Sequence, residues 1–328
     1  MLIALASTRD AAAQAPGVAR LPASVLDALP PSARVRGGPG AMTVQPRACD
    51  ARPERRIRQR IVDIAVQEWG FFGFRLAAAD DVDDNGGAAG GVSFESLSPE
   101  ERRRRRPRLP PAEAARVAAS IAGYWAVTPE GSWIVARQND RWNGEDGVGA
   151  RWNAPWSAAF ISWVMCEAGL GVPQFQRAIA HHAYIDQAIR ARDGRAPQAA
   201  FVAYDAGEAA IVPGDLLCSS RRPAYRSIAE RRRQSGVGAR SHCDVVVKVD
   251  ERLNRIYAIG GNVRGVVSLK QLPAVRAAGK PLSADTGNDE RPMFAHLKMR
   301  AAPIDANALD SSPTMKASGG SPLTLGTR

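Results

Sequence analysis

The feature that most constrains this fold is the apolar segment at residues 152–165, which reads WNAPWSAAFISWVM. Pro155 would end any preceding helix, Ser157 can cap the next one, and Gly169 can end it. The residues between are apolar on nearly all sides, so this helix should run through the core. We therefore expect Ser157 at a partly buried helix N-terminus, where backbone N–H groups face outward.

Apolar residues also recur at helical spacing on both sides of this segment. The predicted helices cover residues 54–69, 112–125 and 175–192. After Pro213 the pattern changes to short β-rich runs. The predicted strands are a buried run from Leu216 and the runs 242–249 and 255–259.

The last two strands are joined by a polar turn near Arg252. A hairpin centred there places His242 opposite or diagonal to Asn262 on the partner strand. Together these elements predict an α+β fold, with a buried core helix packed on a small antiparallel sheet.

Composition divides the chain into a central domain with irregular ends. We predict a flexible N-terminal segment at 1–50, one domain at 51–301 with a disordered insert at about 77–111, and a flexible tail at 302–328. The first 15 residues resemble the apolar region and cleavage site of a signal peptide, without its basic start.

The net charge of +11 favours anionic partners such as cell-wall polymers. Nucleic acid is a less favoured partner, because the basic run at 102–106 lies between acidic residues and prolines and has no periodicity. No apolar stretch approaches the roughly 20 residues of a transmembrane helix. We expect a soluble protein, periplasmic or secreted rather than cytoplasmic.

The four cysteines follow neither a disulfide framework nor a zinc-binding pattern. We expect most of them to be small buried apolar residues. Cys243 should point to the opposite strand face from His242. The sequence predicts no cofactor and no metal site.

Ser157, His242 and Asn262 are the candidate catalytic residues. Acyl transfer needs a nucleophile near helix-end N–H donors, a histidine that takes its proton, and a polar group that orients the histidine. Each residue also has a structural alternative: a helix cap for Ser157, a buried histidine bonded to a carbonyl for His242, and a left-handed turn for Asn262.

Other side chains are accessory candidates. Asp244 alternates with His242 on one strand face and could orient it or form a salt bridge. His181 could point into the same cleft from its helix. Trp152 and Trp156 could line a groove for carbohydrate or peptide, or they could pack over the core.

Four motifs carry a resemblance to known families. They are PWSAAFIS at 155–162, GDL at 214–216, SHCD at 241–244 and GGNV at 260–263. In this order they resemble the bacterial domain of unknown function 2272. More distantly, they resemble the NlpC-type and CHAP families, which are papain-like cysteine peptidases and amidases of bacterial peptidoglycan.

This resemblance implies a papain-like fold and hydrolysis of amide bonds in peptidoglycan peptides or a related wall component. Ser157 stands where those peptidases carry cysteine, and a serine hydroxyl is a weaker nucleophile than a thiolate. The alternative is a catalytically inactive papain-like domain that binds a wall peptide or a protein partner.

Overall fold

The computed structural model of the protein describes residues 17–49, 56–81, 111–145, 147–148, 151–286 and 291–319. Its helices are α1 Ala23–Leu26, α2 Ile57–Phe71, α3 Pro111–Trp125, α4 Gly131–Asn143, α5 Ser157–Ala168, α6 His182–Arg192, α7 Ile228–Arg233, α8 Ala308–Ser311 and α9 Pro313–Ala317, with a 3₁₀ turn at Pro31–Arg34. Within these ranges no helix combines the length and apolar character needed to cross a bilayer.

The strands form a small hairpin and one large sheet. The hairpin is β1 Val35–Arg36 with β2 Thr43–Val44, and the sheet strands are β3 Arg75–Ala77, β4 Phe201–Tyr204, β5 Leu216–Arg222, β6 Arg240–Asp250, β7 Arg255–Val263, β8 Val266–Arg276, β9 Leu282–Ala284 and β10 Met293–Met299. Their order is β3-β8-β7-β6-β5-β10-β4, with β9 on β8. The fold is α+β, as predicted, but the sheet is larger than the small antiparallel one expected, and its β3–β8 pair is parallel.

Helix α5 is the predicted core helix, and all twelve of its residues are buried. It packs against β7 at Gly261, where an added Cβ would lie 2.5 Å from the side chain of Phe160. Tyr124 and Trp156 stack beside it, with ring centroids 5.6 Å apart. The helix therefore fixes Ser157, its first residue, against the sheet.

The β6–β7 hairpin has the predicted centre, since Asp250 pairs with Arg255. The predicted helix at 175–192 is shorter than expected, because α6 begins at His182. Polar side chains bind the backbone just before it: Ser162 Oγ bonds both N and O of Ala178, and Gln187 Oε1 accepts from Gln176 N. Helix α4 was not predicted.

Residues 17–49 are not the flexible segment that we predicted. Leu26 and Met42 belong to the core, and the Arg34 guanidinium forms a buried ion pair with Glu167 at 2.7 Å. Arg60 Nη1 donates to the Leu26 carbonyl at 2.9 Å. Contacts between residues distant in sequence order this segment, and apolar periodicity cannot reveal such contacts. The predicted signal-peptide residues and most of the predicted insert, 82–110, lie outside the described residues.

The predicted flexible tail is ordered over residues 302–319. Leu309 of α8 and Met315 of α9 are buried in the core. Val249 N of β6 donates to the Ala306 carbonyl at 2.9 Å. Two short helices therefore close this end of the core.

The cysteines form disulfides, which sequence analysis did not predict, although Cys166, Cys218 and Cys243 are buried as expected. Cys49 is bonded to Cys166, and Cys218 of β5 is bonded to Cys243 of β6. The first bond joins the N-terminal segment to α5, and the second joins strands at directly opposed positions. Spacing along the chain did not reveal the pairs because the partners meet only after the elements have packed.

The Cys49–Cys166 bond should stabilise the fold through the long loop that it closes. The two cysteines are 117 residues apart, and closing a loop of this size contributes about 2–4 kcal/mol. We expect Cys49→Ala/Cys166→Ala to lower the free energy of unfolding by about that amount in urea titrations. The wild type in reductant is the control, and equal stability of variant and oxidised wild type would contradict the prediction.

Candidate functional site

Three polar side chains meet in a cleft at the N-terminal end of α5. Ser157 is the first residue of α5, His181 immediately precedes α6, and His242 lies near the start of β6. All three line a cleft of about 310 Å³, and all three are buried. Ile179, which also lines it, is exposed, so the cleft opens at the surface.

Ser157 contacts His181. Its Oγ lies 2.7 Å from His181 Nε2, and the other ring nitrogen, Nδ1, is hydrogen bonded to the Tyr184 hydroxyl. Residue Trp156, not Ser157, occupies the N-cap position of α5. The serine hydroxyl is thus directed to a histidine and does not act as a helix cap.

The pKa of His181 is held well below its ordinary value, first by burial and then by the neighbouring His242. The His181 and His242 ring centroids are 5.3 Å apart. At neutral pH His181 is therefore an uncharged imidazole. When Nδ1 carries the proton and donates to Tyr184, Nε2 can accept the proton of Ser157.

His242 belongs to a second polar group in the same cleft. Its Nε2 lies 2.9 Å from Asp244 Oδ1, and Lys270 Nζ of β8 donates to Asp244 Oδ2 at 2.9 Å. Burial opposes ionisation of Asp244, but the Lys270 and His242 charges outweigh it and hold the pKa of Asp244 well below its usual value.

The ionised Asp244 fixes the tautomer of His242. An ionised carboxylate only accepts hydrogen bonds, so His242 Nε2 must carry a proton. His242 Nδ1 is buried and has no hydrogen-bond partner among the described residues. In the neutral ring this nitrogen carries the lone pair, so it can accept a proton and can deliver one only after it has been protonated.

Asn262 does not hold the His242 ring. The hydrogen bond to the His242 ring that we predicted for Asn262 is made by Asp244 instead. Asn262 is buried at φ 58°, the left-handed conformation that we considered as its alternative. Of the three predicted catalytic residues, the structure brings Ser157 and His242 to one cleft and gives Asn262 a backbone role.

The two glycines before Asn262 make room for the site. A Cβ on Gly260 would lie 1.9 Å from Asp244 Oδ1 and 2.8 Å from His242 Nε2. Gly261 gives the same close approach to Phe160 of α5. This motif therefore serves packing around the histidine and carboxylate.

The tryptophans predicted as groove candidates are core residues. Trp152 and Trp156 are buried, and Trp152 packs edge-on against Trp142. Trp133 of α4, which sequence analysis did not single out, is 60% exposed. It lines a separate groove that meets the cleft at Asn153.

Over the described residues, no group of three or more histidine, cysteine or acidic side chains is arranged to hold a metal ion. Cys243 is bonded to Cys218 and offers no thiolate.

The profile of one bacterial family matches residues 115–299, more than half of the 328-residue chain. The family is described as an uncharacterized protein conserved in bacteria, domain of unknown function DUF2272. The chain belongs to this family. The matched range contains every residue of the cleft described above. No curated protein and no solved structure matches the chain, and the more distant resemblance to NlpC-type and CHAP peptidases stays a prediction.

Sequence analysis missed two partners in the DUF2272 site. Tyr184 lies three residues after His181, a spacing that brings side chains together at a helix start. Lys270 lies between Leu269 and Gln271 on β8 and is buried. A lysine at a core position of a central strand is a signal for a buried carboxylate partner.

Removing the Lys270 ammonium should destabilise the DUF2272 domain in a pH-dependent way. The low folded-state pKa of Asp244 contributes stability above its unfolded pKa, about 3.9, and this contribution is lost as pH falls toward the folded value. In Lys270→Met the carboxylate loses its main counter-charge. We expect a loss of about 3–5 kcal/mol at pH 7 that persists down to about pH 4 and shrinks below it, measured by urea unfolding.

The exposed Lys280→Met is the matched control and should leave stability unchanged. The double variant Asp244→Asn/Lys270→Met removes both charges and should lose less stability than Lys270→Met. Wild-type stability of Lys270→Met at pH 7 would show that the buried pair is not the source of stabilisation.

Proposed function

We propose that this DUF2272 protein is a hydrolase of amide bonds, with Ser157 as nucleophile and His181 as its general base. The observation that carries the proposal is the 2.7 Å hydrogen bond between Ser157 Oγ and His181 Nε2 inside a surface cleft. A nucleophile in hydrogen-bond reach of a base, itself oriented by a third group, is the arrangement that acyl transfer requires. Here Tyr184 is the third group.

In the proposed reaction, Ser157 Oγ attacks the carbonyl carbon of the scissile amide, and its proton passes to His181 Nε2. The first backbone N–H groups of α5 lack intrahelical acceptors and favour negative charge on the carbonyl oxygen. As the C–N bond breaks, the leaving nitrogen takes a proton from His242, and the proton that His181 gained from Ser157 passes through solvent in the cleft to replace it. Water then attacks the acyl-serine and gives a proton to His181 Nε2, which returns it to Ser157 Oγ as the ester bond breaks and the carboxylic acid leaves.

His242 is the proposed proton donor to the leaving nitrogen. Its Nε2–H is held by the Asp244 carboxylate, which orients the ring. Its Nδ1 has no partner among the described side chains. The two histidines would thereby divide the base and acid roles.

The proposed substrate is an amide bond in peptidoglycan peptides or a related wall component. The support is the resemblance of the four motifs to wall peptidases, together with Ser157 at the start of a core helix and His242 on the adjoining sheet, as a papain-like arrangement requires. We also propose a periplasmic or secreted location. Two disulfides support it, because such bonds persist in oxidising compartments.

A second candidate is a domain that binds a wall peptide without cutting it. It is favoured by serine in place of cysteine and by the burial of Ser157, which is 3% exposed. Serine also needs a stronger base than a thiolate does, and the lowered pKa of His181 weakens it as a base.

Ser157→Ala should abolish hydrolysis, because it removes the oxygen that attacks the amide in the proposed reaction. The assay uses soluble fragments from muramidase-digested peptidoglycan, with products identified by mass spectrometry as the gain of one water. We expect kcat/KM to fall at least about 10³-fold in Ser157→Ala. In His181→Ala it should fall by about 10²–10⁴-fold.

The control is His182→Ala, which removes the adjacent, half-buried histidine that does not line the cleft. It should lose far less activity than His181→Ala, although it removes the acceptor of a 3.4 Å hydrogen bond from Ala239 N. If His181→Ala keeps full activity and His242→Ala loses it, then His242 is the general base. A wild type that binds the fragments but never cuts them, while Ser157→Cys does cut, would support the binding domain instead.

The pH dependence of kcat/KM should reflect the lowered pKa of His181. A general base must be neutral, and its low pKa keeps it neutral well below the ordinary histidine value of about 6.5. Activity should therefore rise with pH along a limb whose midpoint lies well under about 6.5. Rates measured between about pH 4 and 8 check this, and a midpoint at or above about 6.5 would assign the titration to another group.

A further inference from the structure

Three arginines place positive charge on the walls of the cleft. They are Arg221, Arg240 and Arg291, and none of the described lining residues is acidic. Asp244 lies behind His242 and is already bonded to it and to Lys270. The field in the cleft therefore favours an anionic ligand.

Arg240 is the arginine best placed to bind such a ligand. It lies two residues before His242 on β6, and both side chains line the cleft. It is exposed, and its guanidinium has no hydrogen bond or ion pair among the described residues. Arg291 differs, because its Nη1 donates to the Asp80 carbonyl at 2.7 Å and is fixed in place.

The neighbouring hydroxyl groups suit the same ligand. Ser219 lies directly opposite His242 in the β5–β6 register, and Ser220 lies opposite Ser241. All three serines line the cleft. The Ser220 hydroxyl already donates to the Tyr225 carbonyl at 2.8 Å, whereas Ser241 Oγ is buried with no partner among the described atoms. Hydroxyl donors beside a planar guanidinium are well suited to a carboxylate, which accepts two parallel N–H bonds from arginine.

We propose that the cleft contains a carboxylate-binding subsite centred on Arg240, so that the substrate carries a free carboxylate close to the scissile amide. The inference rests on the proposed function for the position of the scissile bond. It extends that function by assigning Arg240 to specificity and by excluding amidated peptides as good substrates. The roughly 310 Å³ of the cleft contains Ser157 and Arg240 together, so both groups of the ligand fit one short segment.

The test is a binding measurement that does not depend on turnover. The full chain with Ser157→Ala is titrated calorimetrically with muramidase-released peptidoglycan fragments. It is titrated again with the same fragments after their carboxyl groups have been converted to primary carboxamides with carbodiimide and ammonium chloride. We expect about 10-fold or greater loss of affinity on amidation, as for loss of a charge-assisted pair.

Arg240→Gln in the same background should bind native fragments about 10-fold more weakly, with little change for amidated fragments. Arg240→Lys, which keeps the charge without the planar fork, should lie between the two. The matched control is Arg252→Gln on the exposed β6–β7 turn, which removes the same charge far along the hairpin from His242. It should bind as its parent does.

Equal affinity for native and amidated fragments would overturn the subsite, and so would equal losses in Arg240→Gln and Arg252→Gln. Absence of binding to native fragments would overturn it as well. Wild-type protein that cuts both fragment preparations equally well would refute the subsite and leave the hydrolase proposal standing. Binding that discriminates against amidated fragments without any hydrolysis would refute the hydrolase and leave the subsite standing.

Discussion

Helix α5 carries apolar side chains on every side, and it can bury all of them only by lying between the main sheet and helices α2 and α3. That constraint sets the position of its first residue. Ser157 cannot move outward without exposing the Phe160 turn, and Phe160 is locked against the bare backbone of Gly261. The cleft forms where the helix begins, because the backbone there has no helical partner and the chain must turn away from the core. The Ser157 hydroxyl is thus held by packing rather than by a flexible loop.

Buried charge then organises what surrounds this helix. Asp244 lies in the core with its two oxygens divided between His242 and Lys270. Taking these groups out of water is unfavourable, and removing one partner leaves the other uncompensated. The same device recurs where Arg58 binds Asp215, and Asp215 also binds His296. Asp215 belongs to the GDL motif, so that motif has a structural role: it places this buried carboxylate just before β5. Only the Asp244 group faces the cleft, and there the charge network orients a histidine as well as joining strands.

The sequence predicted the parts of this arrangement that depend on short-range pattern. The all-apolar run defined α5 and placed Ser157, and alternation on β6 put His242 and Asp244 on one face. It did not separate Asp244 from Asn262 as the partner of His242, because a hairpin register gives both residues access to the ring. The left-handed φ of Asn262 decides between them, and it depends on the bulge where β7 meets β8. The contact of His181 with Ser157 could not be predicted either, because it depends on where α6 begins. That boundary is set by the side chains of Ser162 and Gln187. The disulfides and the order of the N-terminal segment were not predicted for the same reason, because both depend on contacts between residues distant in sequence.

The two histidines of the cleft differ in a way that bears on chemistry. His181 is surrounded by neutral partners, Ser157 and Tyr184, and burial keeps it uncharged. His242 Nε2 is hydrogen bonded to an ionised carboxylate, which orients the ring and fixes the proton on that nitrogen. This difference in hydrogen-bond partners matches the proposed roles in proton transfer, one histidine accepting and one donating. The division follows from a single asymmetry, the position of Asp244 on the strand of His242 and away from the helix of His181. Moving that carboxylate across the cleft would exchange the roles, so the location of Asp244 is the element of this site on which the proposed direction of proton flow depends.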